Sequence, residues 1–441
     1  MGRGIVAVVG RANVGKSTLF NRLIGERSSI VEDVPGTTRD RLYGTVEWRG
    51  REFALVDTGG LTEPRGARDG GALEAAVRRQ ASLAIDEADL VLFVVDSKAG
   101  ILPVEHDVAD RLRRSGKPAL VVANKADGWR GEAQAAEFHA LGLGDVHTVS
   151  ALQGTGTGDL LDAVVAALPP EQPAAAAHDA RVAIVGRPNV GKSTFLNALA
   201  GVERAVVNEQ PGTTRDTIDE TIERDGRRIL LVDTAGIRRR GRIEPGIEQY
   251  ALLRTVRAIE RADVAILIID AIEGITAHDL HIAGYALEAH VGLVLAVNKW
   301  DAVARGPQTT ADWEAQIQRE FHFAPWLAHH FVSAKTGRNV EAALAAALAA
   351  VATRALRVPT KDLHDLLIQA IASHPPPPHR GRAVRFHHVT QAKAAAPTFV
   401  FFADRPDGVH FSYRRYLENR IRERFGFAGT PLRIELRGAR E

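Results

Sequence analysis

Gly10-Arg11-Ala12-Asn13-Val14-Gly15-Lys16-Ser17 follows the apolar run Gly4 to Val9, and it returns as Gly186-Arg187-Pro188-Asn189-Val190-Gly191-Lys192-Ser193, 176 residues later. A Gly-x-x-x-x-Gly-Lys-Ser turn between a buried strand and a helix aims backbone N–H groups at phosphate. Its lysine, here Lys16 and Lys192, reaches the β- and γ-phosphates, and its hydroxyl, here Ser17 and Ser193, suits Mg²⁺. At the same separation, Pro35-Gly36-Thr37-Thr38-Arg39-Asp40 returns as Pro211-Gly212-Thr213-Thr214-Arg215-Asp216. Asp57-Thr58-Gly59-Gly60 likewise returns as Asp233-Thr234-Ala235-Gly236. Farther on, Asn124-Lys125-Ala126-Asp127 matches Asn298-Lys299-Trp300-Asp301 at 174, and Ser150-Ala151 matches Ser333-Ala334 at 183. A whole domain is duplicated, and only its later loops differ in length.

Each copy alternates short β-branched runs with helical patterns, which predicts a mostly parallel sheet covered by helices, an α/β class. Runs as apolar as Gly4 to Val9, Phe53 to Val56, Leu90 to Val95 and Ala119 to Ala123 belong at the centre of such a sheet. Their counterparts are Val182 to Val185, Ile229 to Val232, Val264 to Ile269 and Leu293 to Val297. The expected organisation is two tandem P-loop domains, 1–168 and 180–355, joined by a proline-bearing linker, 169–179. A small α+β domain follows over 356–441, with the order α-β-β-α-β.

Asp57 and Asp233 end apolar strands, where a carboxylate can hold Mg²⁺ through water rather than merely cap a turn. Gly60 and Gly236 would lend an N–H to the γ-phosphate. Asn-Lys-x-Asp at a strand end is an ordinary turn when it stands alone. In register with a phosphate loop it reads a base: the carboxylates of Asp127 and Asp301 can accept from guanine N1–H and its N2 amine, which adenine does not offer. Lys125 and Lys299 would lie along the base, Asn124 and Asn298 would tie the two loops together, and the amides near Ala151 and Ala334 would meet guanine O6. The nucleotide is therefore GTP.

Composition narrows the chemistry further. The 441 residues contain no cysteine, which removes disulfides, thiolate metal sites and thiol nucleophiles. No apolar stretch approaches the ~18 residues of a membrane span, the alanine-rich Ala342 to Ala352 being the longest. The amino terminus lacks a signal-peptide core, so a cytoplasmic protein is expected. Residues 357–441 carry 15 Lys or Arg against 8 Asp or Glu, a basic tail on a nearly neutral chain. In the tail, Tyr413, Tyr416, Leu417, Ile421 and Phe425 form a stripe of helical period. Arg414, Arg415, Arg422 and Arg424 fall off it, a basic side available to RNA phosphate, to a GTPase domain of the same chain, or simply solvated. Gly426-Phe427-Ala428-Gly429 reads as a helix cap and turn rather than an RNA clamp. Phe386-His387-His388 reads as a strand of alternating exposure rather than a metal site.

With these motifs the chain resembles the bacterial family called Der or EngA, which has two tandem Era-like GTPase domains and a carboxy-terminal KH-like domain. The resemblance spans nearly the whole chain. It implies a GTP-hydrolysing factor for assembly of the large (50S) ribosomal subunit, binding a subunit precursor and its rRNA, with no membrane partner and monomeric. A GTP-driven RNA-modification factor is the alternative. The residues themselves do not choose between Thr37 and Thr38; the resemblance implies Thr38 and Thr214 as Mg²⁺ ligands. Leu61 and Ile237 stand where Ras-like enzymes carry the water-orienting glutamine. A bound cation can replace a missing side chain, and Asn13 and Asn189 match the asparagine that related Era-like enzymes use for K⁺. An asparagine that merely turns the loop is the competing account. Two departures between the copies are Ala12 against Pro188 and Leu152 against Lys335.

Overall fold

A computed structural model of the chain describes residues 3–25, 43–58, 78, 81–82, 84–170, 178–201, 219–234, 247–304, 306, 309–394 and 396–438. Two compact units are present: Met1–Ala175 with Arg239–Arg261, and Ala176–Arg238 with Ala262–Glu441.

The first unit contains β1 (Gly4–Val9), α1 (Lys16–Ile24), β2 (Tyr43–Trp48), β3 (Arg51–Asp57), β4 (Leu90–Asp96), α2 (Pro103–Ser115), β5 (Ala119–Asn124), α3 (Gly128–Ala135), β6 (Val146–Thr148) and α4 (Thr157–Ala167). Its six strands run β2-β3-β1-β4-β5-β6, all parallel except β2 against β3. The four near-continuous apolar runs are the four interior strands, and every residue of β4 is buried because helices cover both faces. Val6, Val8, Leu55 and Leu92 meet Leu19 and Phe20 of α1 and Leu160 and Val164 of α4 in one core. Each such side chain contributes ~1.5–3 kcal/mol by burial.

The second unit repeats the plan with β7 (Ala180–Val185), α5 (Lys192–Ala200), β8 (Glu220–Arg224) and β9 (Arg227–Val232). After α6 (Ile247–Arg261), which is grouped with the first unit, come β10 (Val264–Asp270), α7 (Ala277–Glu288), β11 (Gly292–Asn298), α8 (Thr309–Glu320), β12 (Ala328–Phe331) and α9 (Val340–Arg354). The strand order is β8-β9-β7-β10-β11-β12, the first sheet again. Within the first unit, Arg254 of α6 places Nε 2.7 Å from Oε1 of Glu87. The polar edge strands β2, β6, β8 and β12 are the elements that an apolar-run reading passes over.

The tail forms α10 (Thr360–Ser373), β13 (Phe386–Gln391), β14 (Thr398–Ala403), α11 (Phe411–Phe425) and β15 (Arg433–Gly438). β14 is central, antiparallel to β13 and parallel to β15. Phe399 and Phe401 point to one face, where Leu363, Leu366 and Leu367 of α10 and Leu417 and Ile421 of α11 cover them. Residues 426–429 do cap α11, Gly426 N–H donating to Arg422 O at 2.8 Å. They also dock the tail within its unit. Gly429 O accepts from Leu293 N of β11 at 2.9 Å, and Gly429 N donates to Trp326 O at 3.2 Å. His387 and His388 depart from the expected alternation: a register shift between Phe386 and His388 leaves both exposed.

Candidate nucleotide-binding sites

In each sheet the phosphate loop leaves the strand, β1 or β7, on whose two sides the next parallel strands are added in turn, β3 then β4 and β9 then β10, the crevice where doubly wound sheets bind ligands. Close approach dictates the glycines. A Cβ at Gly10 would lie 2.3 Å from Val94 O, and one at Gly186 2.5 Å from Ile268 O. Gly15 and Gly191 take φ of 92° and 98° to start α1 and α5. Lys16 is buried and donates to Arg11 O at 2.7 Å, and Lys192 donates to Gly186 O at 2.6 Å, so both ammonium groups curl over the loop. Ser17 Oγ donates to Asp57 Oδ2 at 2.8 Å, and Thr58 Oγ1 to Val8 O at 2.6 Å. In the second copy β9 stops at Val232; Asp233 follows it with φ 58°, and its N–H donates to Asp219 Oδ1 at 3.0 Å. Thr234 is buried.

The base loops are built alike in both copies. Asn124 Nδ2 donates to Val14 O at 2.8 Å while its Oδ1 accepts from Ala151 N at 3.0 Å; Asn298 does the same with Val190 O at 2.8 Å and Ala334 N at 2.9 Å. One buried amide therefore joins the phosphate loop, the base loop and the serine-alanine loop. Ser150 Oγ donates to Asp127 Oδ1 at 2.8 Å and Ser333 Oγ to Asp301 Oδ1 at 2.6 Å. The hydrogen bond from Lys98, then that from Ser150, holds the Asp127 carboxyl below the usual range, and Ser333 does this for Asp301. Ala126 and Trp300 are buried behind these carboxylates, the indole lying 4.2 Å from the Phe331 ring. Asn13 and Asn189 are left-handed, with φ of 63° and 65°, so part of the reason for asparagine there is backbone. Gly59, Gly60, Leu61, Ala235, Gly236, Ile237, Thr38 and Thr214, with the neighbouring Thr37, Arg39 and Arg215, lie outside the described residues.

Three supports escaped the motif reading. Arg11 Nε meets Glu105 Oε1 at 3.2 Å, and Arg187 Nε meets Asp279 Oδ1 at 3.0 Å, each carboxylate also capping its helix, α2 or α7. Burial pushes the Glu105 carboxyl up. Asp96 and Asp270, which end β4 and β10, hold Lys125 and Lys299 at 2.7 and 2.5 Å. Asp96 and Lys125 both recur 174 residues on, while Arg11 recurs at 176 and Glu105, as Asp279, at 174, a signal the repeat itself offers. The third support has no second copy: Arg22 of α1 donates to Ala151 O at 3.1 Å and Leu152 O at 2.6 Å, where the second copy has Ala198.

Among the roles open to the basic side of α11, Arg422 takes the intramolecular one, its side chain being only 11% exposed. It donates to Glu418 Oε1 at 2.8 Å, to Phe427 O at 2.8 Å and to Thr430 O at 3.0 Å, and lies 4.7 Å from the Trp326 ring centroid. The stripe rule places a residue off the helix's own core; it does not see a neighbour arriving from elsewhere in the chain. Arg414 is partly buried, while Arg415 and Arg424 are exposed.

Two phosphate loops, each tied by an asparagine to an aspartate that offers itself to a base edge, define a tandem P-loop GTPase. Family models agree with that class: one described as 50S ribosome-binding GTPase matches residues 5–125 and 181–299, and one described as the KH-domain-like C-terminal part of EngA bacterial GTPase enzymes matches 357–437. The chain is 54% identical over 438 residues to GTPase Der of Thermomicrobium roseum, spanning 98% of this chain and 95% of that one. It is 50% identical to GTPase Der of Herpetosiphon aurantiacus over 100% and 98% of the two chains. Among solved structures it is similar to an Era from Aquifex aeolicus bound to GDP and AlF4−, with 22% identity, a TM-score of 0.29, and coverage of 59% of this chain and 92% of that one. The chain belongs to the GTPase Der family and is a GTP-hydrolysing enzyme with two GTPase domains and a KH-like tail. No helix among the described residues is long and apolar enough to cross a membrane.

Proposed function

We propose that this enzyme is a nucleotide-driven switch in assembly of the large (50S) ribosomal subunit. It binds a subunit precursor and its rRNA from the cytoplasm as a monomer. The ribosome-binding description of the matched GTPase family supports the partner, and the charge of residues 357–441 suits RNA phosphate. The functional divisions follow the duplication: 1–168, a linker at 169–179, 180–355 and 356–441.

The observation that carries the nucleotide reading is the twofold recurrence of one buried asparagine bridging phosphate and base loops. Residues 10–17 and 186–193 cradle phosphate, with Lys16 and Lys192 offsetting charge between the β- and γ-phosphates. Asp127 and Asp301 select guanine, and amides near Ala151 and Ala334 meet its O6, the N–H groups of those two alanines themselves being given to Asn124 and Asn298. The Ser17 and Asp57 oxygens, 2.8 Å apart with Asp57 buried, are hard donors that fit Mg²⁺. Ser17, Thr38 and Asp57 would hold it in one domain, Ser193, Thr214 and Asp233 in the other. Mg²⁺ there supplies charge neutralisation across the phosphates. Asn13 and Asn189 serve K⁺, in place of the glutamine that Leu61 and Ile237 replace.

Sedimentation with purified 50S subunits tests the switch. Association should depend on whether a GTP analogue or GDP is bound, and should fall with salt as phosphate contacts do. Association indifferent to nucleotide would remove the switch. Asp127→Asn and Asp301→Asn should each weaken guanine binding roughly ten- to a hundredfold at their own site alone.

A further inference from the structure

The two base-reading carboxylates are held differently. Asp127 accepts from Ser150 Oγ at Oδ1 and from Lys98 Nζ at Oδ2, both at 2.8 Å. Asp301 keeps the serine bond, but the residue 174 positions after Lys98 is Ile272, whose side chain is exposed. Conversely, the exposed Leu152 stands where the second copy has Lys335, whose positive charge acts on Asp301 after the stronger effect of Ser333. Each site thus carries one lysine near its carboxylate, supplied from opposite loops. Lys98 is anchored for this task. Its backbone N–H donates to Asp96 Oδ1 at 3.0 Å, and Asp96 in turn holds Lys125 at 2.7 Å.

A guanine edge presents two adjacent donors, N1–H and the N2 amine, one for each carboxylate oxygen; each oxygen has two acceptor sites, and the serine already takes one on Oδ1. The Lys98 ammonium is a third donor directed at one of those oxygens. We infer that Lys98 is an affinity-determining residue of the first guanine site, a positioning residue acting through Asp127 whose ammonium competes with the base for Oδ2. The inference rests on Asp127 reading guanine. The pair is 58% and 40% exposed, so its effect is that of a surface ion pair, about two- to fivefold in affinity and sensitive to salt.

The test is titration of full-length protein with fluorescently labelled GDP in an Asp301→Asn background, where the first site alone reads guanine. Lys98→Ile, which installs the second copy's residue, should tighten binding about two- to fivefold at low salt, and the gain should vanish near ~1 M salt. Lys98→Arg should keep the parental affinity, because the charge is retained. In the reciprocal Asp127→Asn background, Ile272→Lys should weaken the second site. Unchanged or weaker binding by Lys98→Ile would overturn the inference while leaving Asp127 as the base reader. No GDP binding with Lys98 intact would remove that reading, and the inference with it.

Discussion

A methyl group on Gly15 would stand 2.3 Å from Nδ2 of Asn124, and one on Gly191 2.3 Å from Nδ2 of Asn298. Neither amide can withdraw, because each bridges two loops through buried hydrogen bonds. The phosphate turn and the base turn therefore occupy one shared space. Gly15→Ala also faces a φ of 92° that a Cβ disfavours. We expect it to cost about 2–4 kcal/mol in the bound state, weakening GTP binding at the first site roughly thirty- to a thousandfold while sparing the second. Parental affinity at both sites in nucleotide titrations would show that the loops part more easily than their hydrogen bonds indicate.

Arg422 is expected to act on stability. Arg422→Ala strips Glu418, Phe427 O and Thr430 O of their donor and uncovers Trp326. The loss should be about 2–4 kcal/mol, read by denaturant unfolding. Arg415→Glu and Arg424→Glu, at exposed positions, should leave unfolding unchanged and weaken RNA binding. Equal stability of Arg422→Ala and the parent would return Arg422 to the RNA face.

Acid should destabilise the second unit through Asp263. Burial alone would push this carboxyl up, but the hydrogen bonds and charge of Arg181, 2.7 Å away, outweigh it and hold it below the usual range. A carboxyl depressed by folding stabilises fully above its unfolded value of ~3.9, and the contribution disappears as pH falls through the lower folded value. Asp263→Asn should lower stability at pH 7 and flatten its fall below about pH 4. A parental acid slope in the mutant would assign that slope to other carboxylates.

Potassium dependence is best tested at Asn189 with glycine. Because φ there is 65°, Asn189→Ala mixes loss of the side-chain oxygen with backbone strain, whereas Asn189→Gly removes the oxygen alone. GTP turnover should be faster in K⁺ than in Na⁺ for the parent, and Asn189→Gly should lose most of that difference while keeping GTP affinity. A full K⁺ response in the glycine variant would leave the asparagine as a turn residue only.

Much of this architecture is legible in the sequence because its physics is local. Strands buried on both faces are continuous apolar runs, and a phosphate loop fixes its residue types at fixed spacing. Edge strands such as β2 and β12 are half solvated, and their short mixed sequences carry no such mark. The site's supports are harder to read: Glu105 lies 94 residues from Arg11, and nothing in its neighbourhood distinguishes it from other helix caps. Their recurrence in the second copy, with Asp279 in place of Glu105, is the available clue, and Arg22 and Lys98, whose positions become Ala198 and Ile272, lack even that. For Arg422 the sequence leaves RNA and an intramolecular dock both open, because helical periodicity describes one helix's core and is silent about Trp326.

Gly429 gives its carbonyl to Leu293 of β11, and a Cβ at its position would come within 2.8 Å of Ala350 Cβ in α9. The last module of the chain thereby completes the hydrogen bonding of a sheet formed far earlier. A fragment cut after α9 would orphan that amide and lay bare the indole beneath Arg422, each a cost borne by the enzyme domain rather than by the tail. The natural cassette for recombination or separate expression is accordingly β7 to β15 as one piece. Any gene rearrangement that moved the second GTPase domain without its tail would have to invent a new lower rim for it.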